Sequence, residues 1–555
     1  MKKLFSLIFL CLFLIPVLSS GEDLYEEQLN KGIRNSEPYA YVLIKQSKAD
    51  TAHAKEILRN ALRYSPDLPA VYFELSKASL SFSTDGIFEA VDYMLQGISA
   101  YQRNFWWSFT MVGSLYMSVI ISFIISVIII IVIRLSSDLR LLSHDIKEVR
   151  AKTLLLLVLA FTLTGPIFLI GGLLFILGLY LKKRDRSVVY LYLLFLLISP
   201  WVFKTTSVFF NAPASNELKA VVQVNESKGN KYALSMLRDR NDDVALFSYA
   251  LALKKEGRYS EAADIYKKLI VKKPEPRLYI NLANCYVGMN DRERAKEFYR
   301  KSIEMKPLPS AYYNLSQVLR ESLDFVKGEE YFLAAQRLDR EAVSRFHAIL
   351  GKNPNRFVID ESIPVSTLWM YAQGRTRNVS TMGLSTIPSA LMSVIAIFLI
   401  VLFYIVDRRI KHRAYRCKRC GTILCNKCEK HILWGRMCMQ CYRSLVKLDE
   451  LDAKERVSRL LTVYEYQKQR RDMIKIISYI LPGSAQIYAG DVFYGLLFLW
   501  TFLFFLCIPI MNSLFLIETF SFSHLWLNWG SFILLIGVYF LSNIITRRRL
   551  DKGWL

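Results

Sequence analysis

The residues best suited to chemistry are six cysteines in one short stretch: Cys417-x2-Cys420, Cys425-x2-Cys428 and Cys438-x2-Cys441. A C-x2-C turn presents two thiolates to one tetrahedral ion, and two such turns close a structural zinc site with no open coordination position. Clustering of this kind reads as metal ligation, whereas a disulfide framework would be spread over a secreted fold. Of the nine cysteines, only Cys11, Cys285 and Cys507 stand apart. Six thiolates exceed one site, so one zinc ion is expected and a second remains open. A redox-active C-x2-C pair is the competing chemistry, but no thioredoxin-like strand-helix pattern surrounds these residues.

The run from Arg416 to Cys428, continued by Cys438-Met439-Gln440-Cys441-Tyr442, resembles the latter three cysteine pairs of FYVE-type zinc fingers. That resemblance implies crossed bracing, in which Cys417 and Cys420 share one ion with Cys438 and Cys441. Cys425 and Cys428 would then need a further pair, for which His431 is the first substitute and His412 the second. The first cysteine pair of that family and its basic, histidine-rich signature have no counterpart ahead of Cys417, so the resemblance implies zinc and not phosphoinositide recognition. The candidate metal ligands are therefore Cys417, Cys420, Cys425, Cys428, His431, Cys438 and Cys441.

The elements that must carry this cluster are membrane segments. The chain has 555 residues, is 53% hydrophobic and carries a net charge of +24. That charge lies beside apolar runs, where Lys and Arg mark cytoplasmic flanks and anionic headgroups, so membrane lipid is expected as a partner and nucleic acid is not. Met1-Lys2-Lys3, the apolar run to Leu18 and Ser19-Ser20-Gly21 have the layout of a secretory signal, cleaved or kept as an anchor. Further apolar stretches run over Phe109–Ile133, Thr153–Leu181, Val188–Phe210, Ile387–Val406, Phe493–Met511 and Trp529–Ile545. Both flanks of Thr153–Leu181 are basic, with Arg134, Arg140, Lys147, Arg150 and Lys152 before it and Lys182, Lys183, Arg184 and Arg186 after it. The positive-inside tendency places both flanks in the cytoplasm, so this stretch is expected to return as a hairpin bent at Gly165-Pro166, a single span that would invert everything downstream being the weaker reading. Residues 22–104 and 211–385 then lie outside, and the cysteine cluster lies in the reducing cytoplasm.

A second signal is an internal period. Gly257-Arg258-Tyr259-Ser260-Glu261-Ala262, with Tyr266, Leu269 and Pro274, recurs 33 residues on at Asn290 to Ala295, with Tyr299, Ser302 and Pro307. It recurs again at Leu323 to Gly328, with Phe332, Ala335 and Arg340. This resembles the tetratricopeptide repeat of about 34 residues. A small residue lets two helices approach, the aromatic four positions later fills the groove to the next pair, and proline ends the second helix. Gly328 and Arg340 depart from the pattern, so the third unit is expected to be a cap or a degraded repeat. Ala54, Leu58, Ala61 and Pro66, then Ala90, Met94 and Gly97, give a fainter copy that must lean on a neighbour or the membrane.

Near the C-terminus, Pro482-Gly483, Gln486, Tyr488, Gly490 and Gly495 resemble the opening of small bacterial TM2-like membrane hairpins. Their role is expected to be structural. Phosphate-binding Gly-rich loops, a nucleophile elbow and a paired-histidine metalloprotease helix are not found, and the six histidines are scattered, so catalysis is not expected.

The fold class expected is an all-α membrane protein with tetratricopeptide-like helical repeats, multi-pass transmembrane helices and a small zinc-binding module. Its expected domains are a signal or anchor at 1–21, a repeat-like helical domain at 22–104, a transmembrane region at 105–210 and a repeat domain at 211–385. A transmembrane helix at 386–407, the zinc module at 408–446, a connecting helix at 447–474, a membrane hairpin at 475–546 and a basic tail at 547–555 follow. The expected function is a scaffold, in a bacterial inner membrane, that binds proteins through its non-cytoplasmic repeats and carries a cytoplasmic structural zinc module. A subunit or regulator of a transport or channel complex is the alternative, and no small-molecule substrate is identified.

Overall fold

The computed structural model describes residues 24–146, 161–374, 383–409, 414–425, 437–445, 452–514 and 524–552. The expected signal segment and most of the first arm of the Thr153–Leu181 hairpin lie outside these. The described residues form an all-α fold whose sheet content is one short antiparallel hairpin, Tyr415–Arg416 with Ile423–Leu424. The chain divides into two compact units, Met1–Phe109 with Phe210–Arg375 and Thr110–Phe209 with Thr376–Leu555.

In the first unit the repeats are three stacked helical pairs. Asp243–Lys255 packs on Tyr259–Lys272, Pro276–Gly288 on Arg292–Met305, and Pro309–Glu321 on Phe325–Leu338. Ala262 and Tyr266, then Ala295 and Tyr299, are fully buried, as the small-then-aromatic spacing requires. Each pair turns through a residue in the left-handed region, Gly257 at φ +81°, Asn290 at +60° and Leu323 at +63°. Only glycine adopts this without a Cβ penalty, and asparagine tolerates it better than leucine.

The second and third turns lead into capped helices, with Asp291 accepting the Arg294 N–H at 3.1 Å and Asp324 the Lys327 N–H at 3.3 Å. The departures at Gly328 and Arg340 do not shorten the third pair. A Cβ at position 328 would lie 2.6 Å from Arg320 Cγ, so glycine there allows the closer approach. Arg340 stands at the proline position, and Asp339 before it ends the Phe325–Leu338 helix and caps a further one, Arg340–Ala348, by accepting the Ala342 N–H at 2.8 Å.

The fainter N-terminal copy is also two helical pairs, Glu37–Ala49 with Ala54–Tyr64 and Pro69–Ser79 with Thr84–Ala100. It leans on its neighbour: the N–H groups of Arg34 and Asn35 both donate to Ser227 O, at 2.9 and 3.2 Å, and Arg356 pairs with Glu26.

The second unit holds three of the five described helices long and apolar enough to cross a membrane and most of the other two. They are Phe105–Ser136, Ser187–Ala214, Ser389–Arg409, Val492–Leu514 and Trp526–Asp551. The first continues as helix to Ile146, through the basic residues Arg134 and Arg140. Pro166–Gly178 is a shorter apolar helix of 13 residues. At 1.5 Å per residue it reaches only about 20 Å, short of the roughly 30 Å hydrocarbon core. The chain breaks at Gly165, whose φ is +110°. Ile167 N–H donates to Leu384 O at 3.2 Å and Thr386 N–H to Thr164 O at 3.1 Å, which supplies partners to backbone groups freed by the break.

The glycine pattern of the C-terminal hairpin is a close approach of helices. A Cβ on Gly483 (φ +83°) would lie 2.3 Å from Gly495 O, and one on Gly495 would meet Ile487 at 2.4 Å. Gln486 is fully buried and donates to Thr546 Oγ1 at 2.8 Å.

The basic flanks of several spans meet at one end of this unit. Lys182 pairs with Asp491 at 2.8 Å, Arg549 with the same carboxylate at 3.5 Å, and Arg186 with Asp407 at 2.6 Å.

Candidate functional site: a tetracysteine centre and an occupied repeat face

The cysteine module is positioned by local turns and one long helix. Cys417 O accepts the Gly421 N–H at 3.0 Å and Cys417 N–H donates to Thr422 O at 2.8 Å, closing a tight knuckle. Gly421 (φ +77°) turns that knuckle against the helix Ala453–Ile480, where a Cβ would lie 2.5 Å from the Tyr466 ring. Gln467 Nε2 on the same helix donates to Lys418 O at 2.9 Å and Arg419 O at 2.8 Å. The helix Met439–Leu445 carries Cys441 and follows directly on Cys438.

These elements bring the thiols of Cys417, Cys420, Cys438 and Cys441 within 4.8 Å of one another, an arrangement that could hold a metal ion such as zinc. Cys420 Sγ and Cys438 Sγ are 3.6 Å apart. Sulfurs of a tetrahedral zinc site with bonds of about 2.3 Å are separated by about 3.8 Å. The Cys438 N–H points at Cys417 Sγ and the Cys441 N–H at Cys438 Sγ, each at 3.4 Å, donors of the kind that stabilise thiolates. Burial pushes the Cys438 thiol up to about 11 and the Cys441 thiol further. At Cys420 burial also raises the value, but hydrogen bonds with Thr422, Cys441 and Cys417 together outweigh it and bring the thiol down to about 7. Burial thus opposes the thiolates of Cys438 and Cys441, and a cation beside them would offset that cost.

The crossed pairing of the first and third C-x2-C turns is the one brought together here. Cys425 is buried at the hairpin Ile423–Leu424 and is not part of the group of four. Cys428 and His431, and with them the second-ion arrangement, lie outside the described residues, as does His412.

The face formed by the first helices of the repeats carries a second set of functional side chains, and the chain itself lies on it. Residues 358–364, between the short helix Pro354–Phe357 and Val365–Gly374, cross this face without helical structure. Every second amide is held: Ile359 N–H donates to Asn314 Oδ1 at 2.8 Å, Glu361 N–H to Asn281 Oδ1 at 2.9 Å and Ile363 N–H to Asn225 Oδ1 at 2.8 Å. That alternation is the period of an extended strand.

The same side chains donate back, Asn314 Nδ2 to Ile359 O at 2.8 Å and Asn281 Nδ2 to Glu361 O at 2.9 Å. Asn284 Nδ2 donates to Ile359 O at 2.9 Å and to Asp360 Oδ1 at 2.8 Å. The fully buried repeat residue Tyr299 fixes that amide by donating to Asn284 Oδ1 at 2.6 Å.

Charge adds to the backbone contacts. Lys254, fully buried, meets Asp360 Oδ1 at 2.9 Å. Burial alone would raise the Asp360 carboxyl, but Lys254 and Lys255 hold it below the usual range. Glu361 accepts from Ser310 Oγ at 2.6 Å and from Arg277 Nε at 3.3 Å.

The repeat pattern legible in the sequence lies in the turns and second helices and does not single out these asparagines. Asn281 and Asn314 are 33 residues apart, the repeat interval itself, and both are buried. A polar amide recurring at the repeat period inside an apolar stripe is the signal that marks them.

Two tetratricopeptide repeat family profiles match the chain, over residues 244–275 and 276–307, the first two of the three helical pairs. No curated protein is significantly similar to the chain.

Proposed function

We propose that the protein is a multi-pass membrane scaffold whose repeats bind an extended segment of a partner protein, and that this segment takes the place of residues 358–364. The observation that carries this reading is the row Asn225, Asn281 and Asn314, which grips alternate amides of an extended chain and so reads backbone with little regard to side-chain identity. Lys254, Ser310 and Arg277 add preference for acidic residues, as at Asp360 and Glu361. Stacked helical repeats generally mediate protein–protein interaction, and their solenoids offer concave binding surfaces.

In this reading Cys417, Cys420, Cys438 and Cys441 hold one structural zinc ion, and the module recruits or positions a cytoplasmic partner without catalysis. The basic flanks that converge on Asp407 and Asp491 support a common cytoplasmic end for the spans, with the repeats on the other side of a bacterial inner membrane.

The test is affinity capture from solubilised membranes with the full chain as bait, wild type beside Asn281→Asp/Asn314→Asp. Partner proteins retained by the wild type and lost with the double variant support the reading. The same proteins in equal amounts from both would remove it. Reporters fused near Asn290 and Met439 test the sidedness, which requires them to respond in opposite compartments.

A further inference from the structure

Within the first unit, a cavity of about 410 Å³ opens where the loop 225–227, the first repeat helix and residues 360–365 meet the N-terminal helices. Its lining includes three acids and three bases: Asp67, Glu226 and Asp360 against Arg34, Arg103 and Lys255. Each acid is already engaged. Asp67 pairs with Arg103 at 2.6 Å, Glu226 with Lys228 at 2.6 Å, and Asp360 with Lys254 at 2.9 Å. Among the described residues, Arg34 and Lys255 have no carboxylate at ion-pair distance.

Lys255 is 6% exposed, and its ammonium donates only to neutral oxygens, Val224 O at 3.2 Å and Ser227 Oγ at 3.0 Å. Among the described residues the Arg34 guanidinium makes no ion pair, although its backbone is fixed by the bond to Ser227 O. Asp360 attracts both cations and Asp67 attracts Arg34, but burial outweighs these attractions at each base and the two repel one another, so a further anion between them would offset that cost.

The backbone around them is built for close approach. Gly32 sits at φ +69° with Lys255 Cγ 3.0 Å from where a Cβ would be. Ser227, which receives the Arg34 and Asn35 amides, is itself left-handed at φ +53°. Strain of that sort is retained where the surroundings impose it, commonly at ligand clamps.

We infer that this cavity binds a small oxyanion, a carboxylate or phosphate compound, with Arg34 as its planar fork and Lys255 as its second cation. Arginine matches the geometry of either group through two parallel N–H bonds, and an ammonium adds a point charge. The volume suits a small metabolite and not a macromolecule. Because Asp360, Ser362, Ile363, Pro364 and Val365 also line the cavity, the bound anion would secure the segment that lies on the repeats. The inference does not depend on what else that face binds.

The experiment is isothermal titration calorimetry on the full chain in nanodiscs, with inorganic phosphate and citrate as separate probes in a chloride buffer. Saturable one-to-one binding of at least one probe is expected, and comparison of the two distinguishes phosphate from carboxylate recognition. Arg34→Gln should weaken that binding by at least about thirty-fold, and Arg34→Lys should recover part of it. Circular dichroism and the unfolding temperature of Arg34→Gln establish that the variant is folded, and Lys255→Gln provides a second weakened variant. Failure of both probes to bind the wild type saturably, or equal affinity in folded Arg34→Gln, overturns the inference.

Discussion

The Asn314 amide and the Ile359 backbone form a two-way pair: Ile359 N–H donates to Asn314 Oδ1 and Asn314 Nδ2 donates to Ile359 O, both at 2.8 Å. This is the exchange that two strands make, performed by a side chain 45 residues away. Asn314→Ala leaves a buried N–H without an acceptor, which costs about 2–3 kcal/mol. Hydrogen exchange at Ile359 and Glu361 should accelerate well before the repeats unfold. Unchanged protection at both amides would show that the asparagine does not hold the segment.

Lys254 and Asp360 are a buried ion pair, with side chains 1% and 12% exposed. Removing one partner leaves the other charged and dry, so Asp360→Asn should cost about 3–5 kcal/mol. Lys254→Met combined with Asp360→Leu should recover much of that loss, because both charges then leave together. A double-mutant cycle of Lys254→Met, Asp360→Leu and the two together, followed by chemical unfolding, reads the coupling directly, and additive losses would contradict it. Asp360→Asn should also increase capture of a partner, since it loosens the segment that competes for the face.

Lys255 gives the stability a pH dependence. Burial lowers its value to about 7; Asp360 opposes that shift, while Arg34 and Lys254 reinforce it. In the unfolded chain the amine stays protonated to its ordinary value of 10.5. Between about 7 and 10.5 the unfolded state therefore binds the extra proton, and raising the pH favours folding. The limiting slope is about 1.4 kcal/mol per pH unit for one such group. Lys255→Met should flatten the stability profile over this window, and an unchanged slope would rule the assignment out.

At the cysteine centre the prediction is one zinc ion per chain, lost on chelation together with the order of the knuckle. Cys417→Ser or Cys438→Ser should abolish it, whereas Cys425→Ser should leave one ion bound. Elemental analysis of purified variants decides this. Loss of all zinc from Cys425→Ser would place that thiol in the same site.

How far the sequence reveals this molecule depends on how local each signal is. The cysteine pairs and the period linking Tyr266 to Tyr299 are short-range patterns imposed by one turn or one helical pair, and both correspond to what the structure holds. The pairing of Cys417 with Cys438 spans a chain reversal, and only the FYVE-type resemblance suggested it. The segment at Ile359 has no periodicity of its own, because its partners Asn225, Asn281 and Asn314 belong to three different helices. That Arg34 has no carboxylate at ion-pair distance emerges only once Asp67 and Asp360 are seen to pair with Arg103 and Lys254, which is a property of the packed molecule.

The repeat turns give a last prediction in which the effect has opposite signs at equivalent positions. Gly257, Asn290 and Leu323 occupy the same left-handed turn 33 residues apart, at φ +81°, +60° and +63°. Leu323 is 76% exposed, so its side chain adds little packing to offset a conformation that costs an L-residue about 1–2 kcal/mol. Leu323→Gly should therefore stabilise the third pair, by about 1 kcal/mol after the entropy of glycine in the unfolded chain is deducted. Gly257→Ala should destabilise the first pair by a similar amount, although a Cβ there meets no atom within 4 Å. Because open space surrounds Gly257, any loss comes from backbone conformation and not from a clash. Thermal unfolding of the two variants separates these effects, and a destabilised Leu323→Gly would mean that the exposed leucine has a contact worth more than its strain.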